Sequence, residues 1–184
     1  MVAGTLEYNS LRDLGMLPLV LVALIEEAAK LIVPILLLLL IMARHEHRLP
    51  SDGLIIGVAS GMGFAALETV GYAFTSLIES KGNIGSVEQT LFLRGLTSPA
   101  GHTAWTGLTA GALWAFLATP TGKRLLELVA TFIGAVVLHT CWDSFPSLTA
   151  FVILAVLSLG WLFLALRRYR TFAEHGPRLT PLTI

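Results

Sequence analysis

Five apolar stretches divide the chain, at about 16–42, 54–78, 96–119, 125–145 and 148–166. A bilayer's hydrocarbon layer takes roughly 20 residues of helix to cross. Strands of a membrane barrel are about half as long and alternate in polarity. The pattern therefore predicts an all-α, polytopic membrane bundle of about five transmembrane helices, forming a single domain over 1–184. Ser98-Pro99 reads as the N-cap and first turn of the third helix, and Pro146 ends the fourth. The connection over 80–95 (SKGNIGSVEQTLFLRG) is the longest and has room for a short interfacial helix. Residues 167–184 read as a polar cytoplasmic tail. The first apolar run is too long for a signal peptide, carries internal charges and lacks a basic leader.

Basic residues orient the bundle. With the N-terminus outside, the inner segments hold Arg44, Arg48, Lys123, Arg124, Arg167, Arg168, Arg170 and Arg178, and the outer ones Arg12, Lys81 and Arg94. The positive-inside rule then places the N-terminus outside and the C-terminus inside.

Composition narrows the class further. Of 184 residues, 55% are hydrophobic and 13% charged, with a mean hydropathy of +0.78. Average soluble domains carry about 25% charged residues. A soluble globular or disordered chain is thereby excluded. Zero net charge without a basic stripe argues against nucleic acid as a partner. A single cysteine, Cys141, rules out a disulfide scaffold or a zinc ribbon and reads as a packing residue. The expected surroundings are the lipid bilayer of a cell membrane.

The few ionisable groups inside the spans change the picture. Glu26, Glu27 and Lys30 lie in the first, Glu68 in the second, His102 in the third, and His139 and Asp143 in the fourth. A charge at a helix centre costs about 2.5–3.5 kcal/mol on insertion scales, so these groups are expected to face one another. Their depths agree. Glu26 lies about ten residues, or ~15 Å, below the outer end of its helix. Glu68 is about ten residues short of the outer end of its own helix, His102 one or two turns in from the outer end of the third, and His139 about six residues from the outer end of the fourth. Glu26 and Lys30 share a helix face, as do Phe64, Glu68 and Tyr72, and His102 with Trp105. Pro34 removes the hydrogen bond to the Lys30 carbonyl and is expected to kink the helix there. Gly53, Gly57 and Gly61 form a small face for close helix contact, as do Gly107 and Gly111.

Each group also has a structural reading. Glu26, Glu27 and Lys30 could be an internal ion pair, and a buried histidine could be a satisfied core residue. Tyr72 and Trp105 could belong to an interfacial belt, and Asp143 could be a helix-end residue. His45, Glu46 and His47 read as solvated loop residues. A proton-coupled transporter would need polar groups at several depths, whereas the inner half of the first span reads LLLLLI.

In order along the chain stand Glu26-Glu27-x-x-Lys30, Phe64-x-x-x-Glu68-x-x-x-Tyr72, His102 in GHTAW, and His139-x-x-x-Asp143. Over roughly 20–145 this resembles the PrsW family of intramembrane proteases, within the larger group of CAAX prenyl endopeptidases and bacteriocin-processing enzymes. Where that group has EExxxR and FxxxH, this chain has EExxK and FxxxE, as the PrsW branch does. Family members are often longer, so the resemblance implies a minimal or trimmed version. It implies a prokaryotic membrane enzyme that cuts membrane-anchored proteins such as anti-sigma factors on the extracytoplasmic side, in regulated intramembrane proteolysis. Glu26, Glu27, Glu68, His102, His139 and Asp143 are then the candidate catalytic residues, supported by Lys30, Tyr72, Phe64 and Trp105. Glu26 or Glu27 is the candidate base for an attacking water. His102, His139, Glu68 and Asp143 are candidate ligands for Zn2+. A metal-free version, with the histidines stabilising the oxyanion, stands beside it. A non-catalytic scaffold of the same fold is the other alternative. The substrate helix must unwind locally before attack.

Overall fold

A computed structural model describes residues 16–43, 49–145 and 147–175. The helices are α1 (Met16–Lys30), α2 (Ile32–Ala43), α3 (Pro50–Glu79), α4 (Ile84–Thr97), α5 (His102–Ala118), α6 (Gly122–Ser144) and α7 (Leu148–His175), with a 3-10 turn at Ser98–Ala100. Among the described residues there is no strand, as the all-α reading expects. Arg12, His45, Glu46, His47 and Pro146 lie outside the described residues.

Polar residues start the long helices. The Leu49 N–H donates to Asp52 Oδ2 at 3.0 Å ahead of Pro50 in α3. Thr121 Oγ1 accepts from the Arg124 N–H at the start of α6. Both contacts satisfy backbone donors that a helix's first turn leaves open. Helices α3, α6 and α7 are each long and apolar enough to cross a membrane. Their outward faces carry exposed Leu67, Leu126 and Leu148, as a chain solvated by lipid requires.

The first span is broken rather than bent. Pro34 has no N–H to give the Lys30 carbonyl. Leu31 instead bonds back to the Ala28 carbonyl at 3.2 Å, separating α1 from α2. The stranded carbonyl is taken by Ser60 Oγ on α3, which donates to it at 2.8 Å. The break sits immediately after Lys30, so it sets the direction in which the Glu26, Glu27 and Lys30 side chains leave the helix.

The third span also differs from its expectation. Helix α4 occupies the long connection and runs to Thr97, and the Ser98-Pro99 pair lies in the 3-10 turn instead of capping a helix. Helix α5 begins at His102 behind Gly101. His102 is thus its first residue, not one or two turns inside. The 3-10 turn at Ser98–Ala100 and Gly101 interrupt the helix that the apolar run from Leu96 would otherwise continue. Helix α5 is the buried centre of the bundle, with His102 to Ala112, Trp114 and Ala115 all buried.

Glycines bring α3 against it. A Cβ on Gly57 would lie 2.5 Å from the Thr106 carbonyl oxygen, and one on Gly61 2.5 Å from that of His102. The small face read on the second span is therefore a backbone-to-backbone contact. Gly61→Ala is expected to cost about 1–3 kcal/mol, the usual range for overpacking. It should also reduce activity by displacing His102. Thermal unfolding in detergent together with cleavage rate checks this, and unchanged values of both would count against the packing account.

The C-terminal boundary moves as well. The helix begun at Leu148 continues through the expected tail to His175. Tyr169 is buried with Leu54 and Ala115, its ring in the space that Gly111 leaves free. An aromatic ring with a polar tip can pack against a small-residue face where a charged side chain could not.

Candidate active site

Four helices deliver one polar cluster. Glu26, Glu27 and Lys30 come from the last turn and a half of α1. Glu68 comes from α3, His102 from the start of α5, and His139 and Asp143 from the last two turns of α6. Every candidate from the four sequence motifs lies in or against this cluster.

Glu27 is the buried hub. Only 2% of it is exposed, as for Lys30 and His139. Its Oε1 accepts from Lys30 Nζ at 2.6 Å and lies 2.9 Å from His139 Nδ1. A carboxylate oxygen only accepts, so His139 Nδ1 carries the proton, and Nε2 is turned toward Asp143 Oδ2 at 3.3 Å and Glu26 Oε2 at 3.6 Å. Lys30 Nζ also lies 2.6 Å from His102 Nδ1. An ammonium only donates, so Nδ1 accepts and Nε2 carries the proton, with Glu68 Oε2 2.8 Å from it. Proton positions on both histidines are thus set by the charged groups beside them.

Glu26 differs from its neighbour. Its side chain is 28% exposed, yet its Oε2 is buried and has no donor in hydrogen-bonding geometry. Lys30 Nζ is 3.7 Å and His139 Nε2 3.6 Å from it. Glu26 thus presents an unused acceptor into the cluster, while Glu27 Oε1 already takes two partners.

Aromatic rings enclose these groups. Trp105 stacks on the His139 ring at 5.1 Å with 26° between planes, and His102 and His139 meet edge to face at 5.1 Å. Phe64 lies under Lys30 Nζ, 4.7 Å from ring centroid to nitrogen. Tyr72 is 45% exposed and stacks under Arg94 at 3.9 Å.

Arg94 and Ser158 belong to the site and were not among the sequence candidates. Arg94, on α4, pairs with Glu68 Oε2 at 2.7 Å and donates from Nε to Thr69 Oγ1 at 3.2 Å. In sequence it reads only as an outer-segment positive charge. It lines a small cleft with Thr97, Gly101, His102 and Trp142. Ser158, on α7, accepts from Trp105 Nε1 at 2.9 Å.

The metal candidates regroup. The ligand atoms that lie within 4.8 Å of one another belong to Glu26, His102 and His139. Of the set expected in sequence, Glu68 is engaged by Arg94 and His102, and Asp143 sits beside His139. One carboxylate and two imidazoles are a donor set suited to zinc. The unpartnered buried oxygen of Glu26 is what such a site leaves for an ion, so the residues fit a divalent metal.

No curated protein and no solved structure matches the chain. The model of the PrsW family intramembrane metalloproteases matches residues 2–166, a range that contains every residue of the cluster. Together with the membrane-length helices, that match shows the chain to be a multi-pass membrane protein belonging to the PrsW family of intramembrane metalloproteases.

Proposed function

We propose that this chain is an endopeptidase that hydrolyses a peptide bond of a membrane-anchored, anti-sigma-factor-like protein in the outer half of a prokaryotic cell membrane. The observation that carries the reading is the pair of adjacent glutamates in opposite states. Glu27 Oε1 is bonded by both Lys30 and His139, and Glu26 is held beside it with an unpartnered oxygen. In this reading Glu26 accepts the proton of the attacking water. Glu27 holds Lys30 and His139 in place, and Lys30 balances the two carboxylates. His102 and His139 face the developing oxyanion or its metal, with Glu68 and Asp143 orienting them. Phe64, Tyr72 and Trp105 form the walls that keep these groups apart from lipid. Extracytoplasmic cleavage agrees with the expected N-outside orientation.

Glu26, His102 and His139 are the residues that would hold Zn2+. A bound zinc ion supplies Lewis-acid polarisation of the scissile carbonyl and a more acidic water. One observation favours the metal-free version. Both ring nitrogens of His102 are engaged, by Lys30 and by Glu68, so this histidine would have to exchange a partner to ligate.

The test is cleavage of a membrane-anchored substrate by purified protein in proteoliposomes, combined with elemental analysis. Under the metal reading, wild type carries about one zinc per chain, His139→Ala loses it, and chelation stops cleavage. Cleavage at full rate by metal-free protein would leave the glutamate-only reading, and no cleavage of any anchored substrate would sink the protease proposal.

A further inference from the structure

Helix α7 carries none of the four motifs, yet it reaches the site. Ser158 is the only hydroxyl residue across 150–166 and is fully buried. Hydroxyls in membrane helices commonly donate to their own helix four residues back. Thr109, Thr131, Thr140 and Ser144 all do so here. Ser158 serves another helix, accepting from Trp105 Nε1 on α5 at 2.9 Å.

The consequence runs through one ring. Trp105 is completely buried and its indole lies along the face of the His139 imidazole. It also meets His102 edge-on at 5.7 Å and Trp142 at 6.1 Å. Glu27 holds His139 at Nδ1 and Asp143 faces Nε2 at 3.3 Å, but contacts at the two nitrogens leave the ring free to tilt about the line that joins them. The flat contact with Trp105 removes that tilt and so decides where Nε2 points. The plane of Trp105 is in turn held by the bond to Ser158. Loss of that bond strands a buried N–H, which then seeks another partner by rotating the indole.

We infer that Ser158 is a positioning residue for His139, acting through the Trp105 indole, so that α7 completes the site without touching the reacting atoms. The inference rests on the site reading proposed above.

Three variants and two readouts test it. Ser158→Ala is expected to lower kcat roughly tenfold with KM within about twofold, as for other groups that orient a functional imidazole. Ser158→Thr keeps the acceptor and should recover most of the rate. Trp105→Phe keeps a ring but no donor and should show a similar loss. Ser158→Ala combined with Trp105→Phe should then be no worse than the poorer single variant, since both act through one bond. Leu154→Ala, a buried change on the same helix, controls for packing and should leave kcat near wild type. Independently of turnover, the indole N–H resonance of Trp105, identified by its absence in Trp105→Phe, should shift in Ser158→Ala, and the His139 ring resonances should move with it. Multiplicative losses in the double variant would overturn the inference, as would an indole shift without movement of His139. If wild type cleaves nothing, the protease reading fails, and the His139 resonances still decide this one.

Discussion

Replacing Glu26 by Gln is expected to lower the cleavage rate on a membrane-anchored substrate by about a thousandfold, within the 10²–10⁴ range for removing a general base. The fold should survive the change. Glu26 accepts no hydrogen bond at Oε2, its side chain is partly exposed, and the amide has the carboxylate's shape. The melting temperature in detergent should therefore stay within a few degrees of wild type while turnover collapses. The proton acceptor has to be the group with a free lone pair, and Glu27 has spent its Oε1 on Lys30 and His139. Turnover retained by Glu26→Gln but lost in a folded Glu27→Gln would reverse the two roles.

Glu27→Leu has the opposite signature, a large loss of stability. Glu27 and Lys30 are both 2% exposed, 2.6 Å apart. Removing one partner of a buried ion pair leaves an uncompensated charge and costs about 3–5 kcal/mol. Glu26 lies only 3.7 Å from Lys30 and can take up part of the charge, which favours the lower end. At roughly 2–4 °C per kcal/mol for a chain of this size, the unfolding midpoint in detergent should fall by about 10 °C. The decisive arm is Glu27→Leu with Lys30→Met, which replaces both charges by apolar groups. It should regain most of the lost stability and none of the activity, because His139 no longer has its Nδ1 acceptor. A double variant as unstable as Glu27→Leu would show that the pair is not coupled as the geometry indicates.

Parts of this protein were legible before any coordinates. The all-α class and the three long apolar helices α3, α6 and α7 follow from apolar runs, because a bilayer demands about 20 residues per crossing and satisfies no backbone group itself. The convergence of Glu26, Glu27, Lys30, Glu68, His102, His139 and Asp143 follows from their common depth. An ionisable group among lipid tails has nowhere to go but toward another. The glycine face on α3 was readable from its four-residue spacing, and the need for a distortion near Lys30 from Pro34.

Other parts had no signal in one dimension. Arg94 looks like any basic residue in a connecting segment until α4 folds back and sets it against Glu68. Ser158 looks like an isolated serine until Trp105 is beside it. Tyr169 reads as the start of a tail until the space beside Gly111 takes its ring.

By itself the sequence determined that this is a helical membrane protein whose motif-borne ionisable groups must face one another, because transfer free energy depends on composition and spacing alone. Only the tertiary structure decided which carboxylate is free and which is saturated. Glu26 and Glu27 are chemically identical neighbours, about 100° apart on one helix. Their difference comes from Lys30 on the same helix and His139 of α6, which lie within 2.9 Å of Glu27 Oε1 and no closer than 3.6 Å to Glu26 Oε2.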